Sequence, residues 1–393
     1  MSATTCNLGH RTAVREGDAA PRPGPMDRAY FLGTWALMVV GIVFVFSASY
    51  PVAGEPGADG VPGNPYWFLW QHMRYVGYGL VAMLGVSFVP PRVLRRISGW
   101  VFALAFLAVL ATLGSPWAVA HNGAYRWLDP PGLPEFQPSE LAKVALIALF
   151  ANILARKDDE DEQPLVAYGT VLAVIAVMAI VLLKQPDLGM TMMFVAIALS
   201  MLFFGGMRPA QVGLLGAGFL GAGLLAASAE AYRWRRIIAF IDPEHASSDD
   251  RYHIVNMLIA QARGGVTGLG LGMSPDKWHW LPAPHTDSIF SVIGGELGLV
   301  GALALLAGIG LLTWRALRIA RNARSPFAYY VACGVAAMLC LQSLAHIAVN
   351  TSCMPCTGLT LPFISGGGTS LLSASIAVGM VLAVSRYESG GEP

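Results

Sequence analysis

Asp287 lies in the stretch Leu281-Pro-Ala-Pro-His-Thr-Asp-Ser-Ile-Phe290, where the longest polar segment of the chain gives way to an apolar run. Pro282 and Pro284 stiffen the approach and rule out helix interior there. An acidic group held at the end of such a segment beside a membrane, with His285 and Thr286 next to it, is a candidate catalytic carboxylate. A structural role competes: Asp287 or Thr286 caps a helix starting near Ser288. The two are compatible, because a helix N-terminus keeps a carboxylate ionised.

Four further clusters carry chemistry. Asn122-Gly-Ala-Tyr-Arg-Trp-Leu128 supplies Arg126 and Trp127, and leads to Phe136-Gln-Pro-Ser-Glu-Leu-Ala-Lys143. Glu140 and Lys143 are three apart, so they share a helix face. They either line a polar cavity or pair with each other while Lys143 snorkels outward. Ser139-x-x-x-Lys143 is one residue too long for an acyl-enzyme Ser-x-x-Lys. Lys184-Gln-Pro-Asp-Leu-Gly189 is a turn in which Asp187 either caps the next helix or faces a cavity. Tyr232 to Pro243 combines Arg233, Arg235 and Arg236 with aromatics, as suits an interfacial helix on anionic head groups. Residues 254–263 suit a second amphipathic helix, and Gly264, Gly265, Gly268, Gly270 and Gly272 suit turns rather than a phosphate loop. Finally, Asn350 to Ser370 offers hydroxyls and flexible backbone, Ser365 and Gly367 among them, for a phosphate oxygen.

These clusters must be positioned by a membrane fold. Only 12% of residues are charged against 55% hydrophobic, with mean hydropathy +0.56, whereas soluble domains average about 25% charged. The net charge of +1 selects no polyanionic partner, and no basic run or finger spacing suggests nucleic acid. No HExxH, GxSxG or zinc spacing occurs, so no metal ligand set is assigned. Cys353-Met-Pro-Cys356 is a single CxxC, a weak redox or metal signal.

Apolar runs at about 30–49, 67–89, 98–114, 139–155, 166–184, 188–206, 210–228, 288–313, 327–349 and 367–385 predict about ten transmembrane helices. The expected fold is an all-α integral membrane protein with one large extracytoplasmic loop, about 229–287, between helices 7 and 8. Residues 1–29 and 387–393 are expected as cytoplasmic tails, the first disordered, around a membrane domain at 30–386. Arg92, Arg95, Arg96, Arg156, Lys157, Arg208, Arg315, Arg318, Arg321, Arg324 and Arg386 place both ends inside. All the clusters above then fall on the outer side, where Trp67, Trp70, Trp117, Trp127, Trp278 and Trp280 form an aromatic belt. Gly213, Ala217 and Gly221 give a small-residue stripe suited to close helix approach.

Taken together, the motifs resemble the FtsW/RodA (shape, elongation, division and sporulation) family of bacterial peptidoglycan glycosyltransferases. The matching stretches run in order from Gly123-Ala-Tyr-Arg-Trp-Leu through Gln185-Pro-Asp-Leu-Gly and Tyr232-Arg-Trp-Arg-Arg to Leu281-Pro-Ala-Pro-His-Thr-Asp. Gly294-Gly-Glu-Leu-Gly-Leu-Val-Gly and Thr357-Gly-Leu-Thr-Leu-Pro-Phe-Ile-Ser complete the set. The arginine cluster and Gly-Leu-Thr-Leu-Pro favour the division branch, FtsW, over RodA. The resemblance implies ten helices in the cytoplasmic membrane and polymerisation of lipid II into glycan strands at its outer face. It implies Asp287 as the catalytic carboxylate, with Trp127, Arg126, Glu140, Lys143, Arg233, Arg235, Arg236, His285, Ser365 and Gly367 around the substrate. The implied partner is a class B penicillin-binding transpeptidase, with other divisome or elongasome membrane proteins. No cofactor is obligatory, and a divalent cation on the pyrophosphate stays open. Ser288 stands where the family has an aromatic residue, and Gly295-Glu296 where it has Glu-Glu. A lipid II flippase, a non-catalytic scaffold and a RodA-type elongation polymerase are the alternatives.

Overall fold

The structure, a computed structural model, describes residues 23–54, 63–121, 123–159, 163–228, 231–242, 248–278 and 280–387. Of the expected tails at 1–29 and 387–393, residues 1–22 and 388–393 lie outside the described residues. In chain order the helices are α1 (Arg28–Ala53), α2 (Trp67–Ser87), α3 (Pro91–Ala111), α4 (Pro138–Asp158), α5 (Pro164–Lys184), α6 (Leu188–Phe204) and α7 (Pro209–Ser228). They continue with α8 (Ala231–Ile241), α9 (Ser248–Gly264), α10 (Ile289–Arg321), α11 (Pro326–Asn350) and α12 (Gly368–Tyr387). Five of these open on proline: Pro91, Pro138, Pro164, Pro209 and Pro326. The first helical position has no use for its N–H, and proline's fixed φ favours the turn. Asp27, Asp187 and Ser325 cap their helices by accepting from Tyr30 N, Met190 N and Ala328 N.

Eight of these helices are long and apolar enough to cross a membrane. The other two expected spans are also helical. Gln71, His72 and Arg74 dilute the apolar character of α2, and α6 is a 17-residue apolar helix. Burial sorts the bundle. α4 and α12 are buried over 83% of their apolar windows and α11 over 67%, against 11% for α3 and 6% for α7. The core is therefore α4, α11 and α12, with α3 and α7 outermost. α7 packs on α6 and α8, and Gly213 and Gly221 open onto empty space rather than onto a neighbouring helix. Its small-residue stripe, expected at a close helix contact, meets no helix at Gly213 or Gly221 among the described residues.

One element departs from an all-helical plan. Between α3 and α4, β1 (Ala118–His121) and β2 (Ala124–Leu128) form an antiparallel hairpin, with Val119 opposite Trp127. Gly123 turns it at φ 76°, in the left-handed region that glycine adopts without cost.

The outer loop is held to α10 by backbone exchange. α10 breaks at Gly298, where φ is 66° and ψ is −164°. The break strands the amides of Leu299 and Val300 and the carbonyls of Gly295 and Glu296, which a regular helix would join. The glycine-rich segment after α9 takes up all four. Leu299 N donates to Gly265 O at 2.9 Å and Val300 N to Val266 O at 3.2 Å, while Leu269 N donates to Gly295 O at 3.1 Å and Gly270 N to Glu296 O at 2.9 Å. Such proximity requires glycine. A Cβ on Gly298 would lie 2.4 Å from Gly268 N, and one on Gly268 would lie 2.2 Å from Glu296 O. The expected second loop helix is present as α9, and Gly265, Gly268, Gly270 and Gly272 all have positive φ, as turn use predicts.

Gly298→Ala should therefore lower thermal stability of the purified chain by about 2 kcal/mol or more, from backbone strain and steric overlap together. Gly310→Ala is the control on the same helix, because its new Cβ meets nothing within 4 Å. It should cause no loss. Equal melting of Gly298→Ala and wild type would show that the exchange is dispensable.

Candidate functional site

The segment carrying Asp287 is pinned through three consecutive backbone carbonyls. His285 O accepts from Gly366 N at 2.8 Å, Thr286 O from Ser365 Oγ at 3.0 Å, and Asp287 O from Asn350 Nδ2 at 2.9 Å. All three donors belong to the end of α11 or the segment between α11 and α12. From the other side, Ala283 O accepts from the amides of Thr286, Asp287 and Ser288. Ala283 itself sits at φ 43° between the two prolines, a strained conformation retained because both flanks dictate it. Asn350 also accepts from Ser291 N and Ser291 Oγ, so the same side chain binds the first turn of α10.

The expected cap by Asp287 or Thr286 is not what begins α10. The helix starts at Ile289 with Ser288 at the N-cap position, and the Ser288 side chain makes no capping bond. Ser288 Oγ instead donates to Pro282 O, and Thr286 Oγ1 to Ala283 O. The tight turn folds both hydroxyls backwards onto the Pro-Ala segment. Asp287, half-buried, is one residue before the cap, within reach of the positive end of α10. His285 packs against Phe68 of α2 with ring centroids 4.5 Å apart.

Glu140 and Lys143 lie beside this region in the core. They are 4% and 0% exposed, and Lys143 Nζ is 2.8 Å from Glu140 Oε2. Lys143 does not snorkel. Its ammonium also donates to Gln342 Oε1 at 2.7 Å, and Ser373 Oγ donates to Glu140 Oε2. Gln342 passes the network on, donating to Thr360 O and Ser370 Oγ. The hydroxyls at the start of α12 are thereby committed to the protein, Thr369 accepting from Gln137 N.

A third group joins the layer from the hairpin. Arg126 donates to Gln185 O and Pro186 O, and its Nε lies 3.7 Å from Asp187 Oδ2. Asp187 caps α6, as one expected role required, and Gln137 Nε2 is 3.5 Å from its Oδ2. Burial raises its pKa above the ordinary carboxylate value, against the pull of Arg126. Trp127 is half-buried, edge-on to His121 at 5.7 Å.

The structure thus brings Asp287, His285, Ser365, Gly367, Glu140, Lys143, Arg126 and Trp127 to one end of the bundle. Arg235 is exposed, on α8. Arg233 and Arg236 lie on the same helix, with side chains outside the described ones. Sequence reasoning missed Gln342 and His346. Their signal was spacing: Gln342, His346 and Asn350 recur every four residues along an otherwise apolar run, which sets one polar face on α11. It also missed the buried pair Lys277–Glu296, at 2.8 Å, with Ser47 of α1 bonded to both.

Comparison with known proteins bears on this arrangement. The family model of the FtsW/RodA/SpoVE cell cycle proteins matches residues 28–390. The protein of Saccharophagus degradans named "Probable peptidoglycan glycosyltransferase FtsW" is 35% identical over 375 residues, covering 94% of this chain and 95% of its own. The protein of the same name in Geobacter sulfurreducens is 36% identical over 369 residues, covering 93% and 96%. Among solved structures, a chain of a peptidoglycan synthase complex described as coordinating polymerization and crosslinking superposes with TM-score 0.72 at 25% identity, covering 92% of this chain and 97% of that one. The rod shape determining protein RodA of Thermus thermophilus superposes with TM-score 0.68 at 24% identity, covering 93% and 98%, a likeness of fold.

Breaking the buried pair from one side should be costly. Lys143→Met leaves Glu140 uncompensated and is expected to destabilise the chain by about 3–5 kcal/mol. Adding Glu140→Gln should restore part of that loss, so the double variant melts above the sum of the singles. Strict additivity in thermal melts would show that the two charges do not depend on each other.

Proposed function

We propose, for a chain that belongs to the FtsW/RodA/SpoVE family of cell cycle proteins, that it is a peptidoglycan glycosyltransferase which polymerises lipid II at the outer face of the cytoplasmic membrane, in septal wall synthesis. The relatives named FtsW cover nearly the whole chain and favour the division branch. The observation that carries the reading is the three-carbonyl clamp on His285, Thr286 and Asp287. The clamp fixes the backbone from which the Asp287 carboxylate projects, and a general base needs such positioning.

In the proposed mechanism, Asp287 takes the proton from the acceptor sugar's 4-hydroxyl as that oxygen attacks the donor's anomeric carbon. The new carbon–oxygen bond forms while the bond to undecaprenyl pyrophosphate breaks, and the leaving group departs as an anion. Its charge calls for cations held in place beforehand. Lys143 and Arg126 are committed to protein partners here, so they act from within the polar layer. The arginines of α8, Arg233, Arg235 and Arg236, are the cations we assign to the pyrophosphate, Arg235 being exposed. Glu140 acts through its pair with Lys143, and Trp127, Ser365 and Gly367 are assigned to the substrate from the same end of the bundle. The reaction as written uses no metal, and a divalent cation would enter with the pyrophosphate.

The chain is a multi-pass membrane protein. We place it in the bacterial cytoplasmic membrane with ten spans, both ends cytoplasmic and the 229–287 loop outside, following the arginine distribution. A crosslinking enzyme is the natural partner, because the similar complex couples polymerization to crosslinking. We assign that role to a class B penicillin-binding transpeptidase within the division machinery.

The test is a gel assay of glycan strands made from lipid II by the purified chain with its partner. Asp287→Asn keeps shape and hydrogen-bonding capacity, and should cut polymer formation by about 10²–10⁴-fold, the contribution of a general base. Polymer at wild-type level from Asp287→Asn would move the base elsewhere. No polymer from folded wild type, with lipid II still crossing vesicle membranes, would favour a flippase.

A further inference from the structure

The opposite end of the bundle holds a cavity of about 410 Å³ between the start of α1, the end of α2 and the end of α12. Two arginines line it, Arg28 and Arg386, together with Met26, Phe31, Leu32 and Phe88. Its walls are fastened without using either guanidinium. Gly24 N donates to Arg386 O at 2.8 Å, Asp27 N to Ser385 Oγ at 3.1 Å, and Tyr387 OH to Phe88 O at 3.0 Å.

Charge in the cavity is unbalanced. Asp27, beside Arg28 in the chain, is already taken: it caps α1 and pairs with Arg315 at 2.8 Å. Neither Arg28 nor Arg386 has a carboxylate partner among the described residues. Arg386 lies over the Phe88 ring at 4.3 Å, which fixes its plane. Its Nε is shielded from solvent and has no hydrogen-bond partner among the described residues. A buried donor left unsatisfied costs about 1–3 kcal/mol, so such a group points to a ligand that accepts from it.

The cavity's flank is apolar. Leu32 is 58% exposed and Phe88 57% exposed, on helices that face the membrane. A free phosphate would gain nothing from that flank, whereas an acyl chain would run along it. We propose that this cavity seats the phosphate headgroup of an anionic phospholipid, held by Arg28 and Arg386, with its glycerol and upper acyl chains along Leu32 and Phe88. The volume falls within the range of small-molecule sites, about 300–1,000 Å³. The site is remote from Asp287 and independent of the polymerase reading.

The full-length chain, reconstituted in nanodiscs of phosphatidylethanolamine with phosphatidylglycerol, tests this by native mass spectrometry of retained lipid. Wild type should retain phosphatidylglycerol preferentially. Arg28→Gln and Arg386→Gln should each lower that preference by about fivefold, the effect of one basic residue near anionic lipid. Arg386→Lys should keep most of it, and polymer formation by Arg28→Gln should stay at the wild-type level. If Arg386→Gln fails to fold, Arg28→Gln decides alone, since Arg28 is exposed. Equal retention in wild type and Arg28→Gln overturns the proposal. Displacement of phosphatidylglycerol by inorganic phosphate also overturns it, by making the site one for a free anion.

Discussion

A helix that breaks inside a membrane protein must find new partners for its backbone, because there is little water to supply them. α10 breaks at Gly298, and its four stranded groups are met by the segment after α9. The outer loop is for this reason no appendage. It supplies backbone partners that α10 needs, and Asp287 stands just before the N-terminus of α10. The same loop inserts Lys277 against Glu296 on α10 and Ser47 on α1, so the contact holds a buried charge pair as well as main-chain bonds. Anything that pulls on the loop bears directly on the helix behind the candidate base.

Buried ion pairs are poor evidence of stability, since the cost of removing both charges from water offsets most of their attraction. Glu140–Lys143 and Lys277–Glu296 therefore call for another explanation. Each joins parts of the chain that apolar packing alone would leave free to slide. The first, through Gln342, ties α4 to α11 and to the residues opening α12. The second ties the loop to α10 and α1. Directional bonds among buried polar groups fix rotation and register, which non-directional hydrophobic contact does not. The polar layer is better understood as the part that sets geometry, with the apolar bundle supplying most of the free energy.

Much of the fold was legible because a bilayer demands long apolar runs, and those runs are unmistakable in the composition. The apolar runs put four of the five proline-opened helices within two residues of their starts but α3 seven residues late, and Asp187 was recognisable as a possible cap in the Gln185-Pro186 turn. The hairpin at 118–128 escaped notice because strands of four and five residues carry too little alternation to stand out from a loop. The cap at α10 was misplaced for a different reason. Three polar residues in a row, Thr286, Asp287 and Ser288, are each acceptable caps, and only the turn around Ala283 O decides among them. Loop glycines were identified as turn residues, but their pairing with Gly298 was not, since bonds between residues about thirty apart leave no local pattern.

The segment of the proposed base, Asp287, is held at three consecutive backbone carbonyls. Bonds to the carbonyls of His285, Thr286 and Asp287 restrict the position of the backbone from which the carboxylate projects. Ser365 and Asn350 each make a second bond that fixes their own geometry, Ser365 Oγ accepting from Leu361 N and Asn350 Oδ1 from Ser291. The clamp is thus supported by a further layer, as a preorganised site requires. Because its donors come from α11 and the α11–α12 segment, while the acid belongs to the outer loop and α10, the two halves must close for the base to be placed. On the proposed role of Asp287, the position of the outer loop bears on how the base is held, and a partner that grips that loop would act on it without touching the substrate.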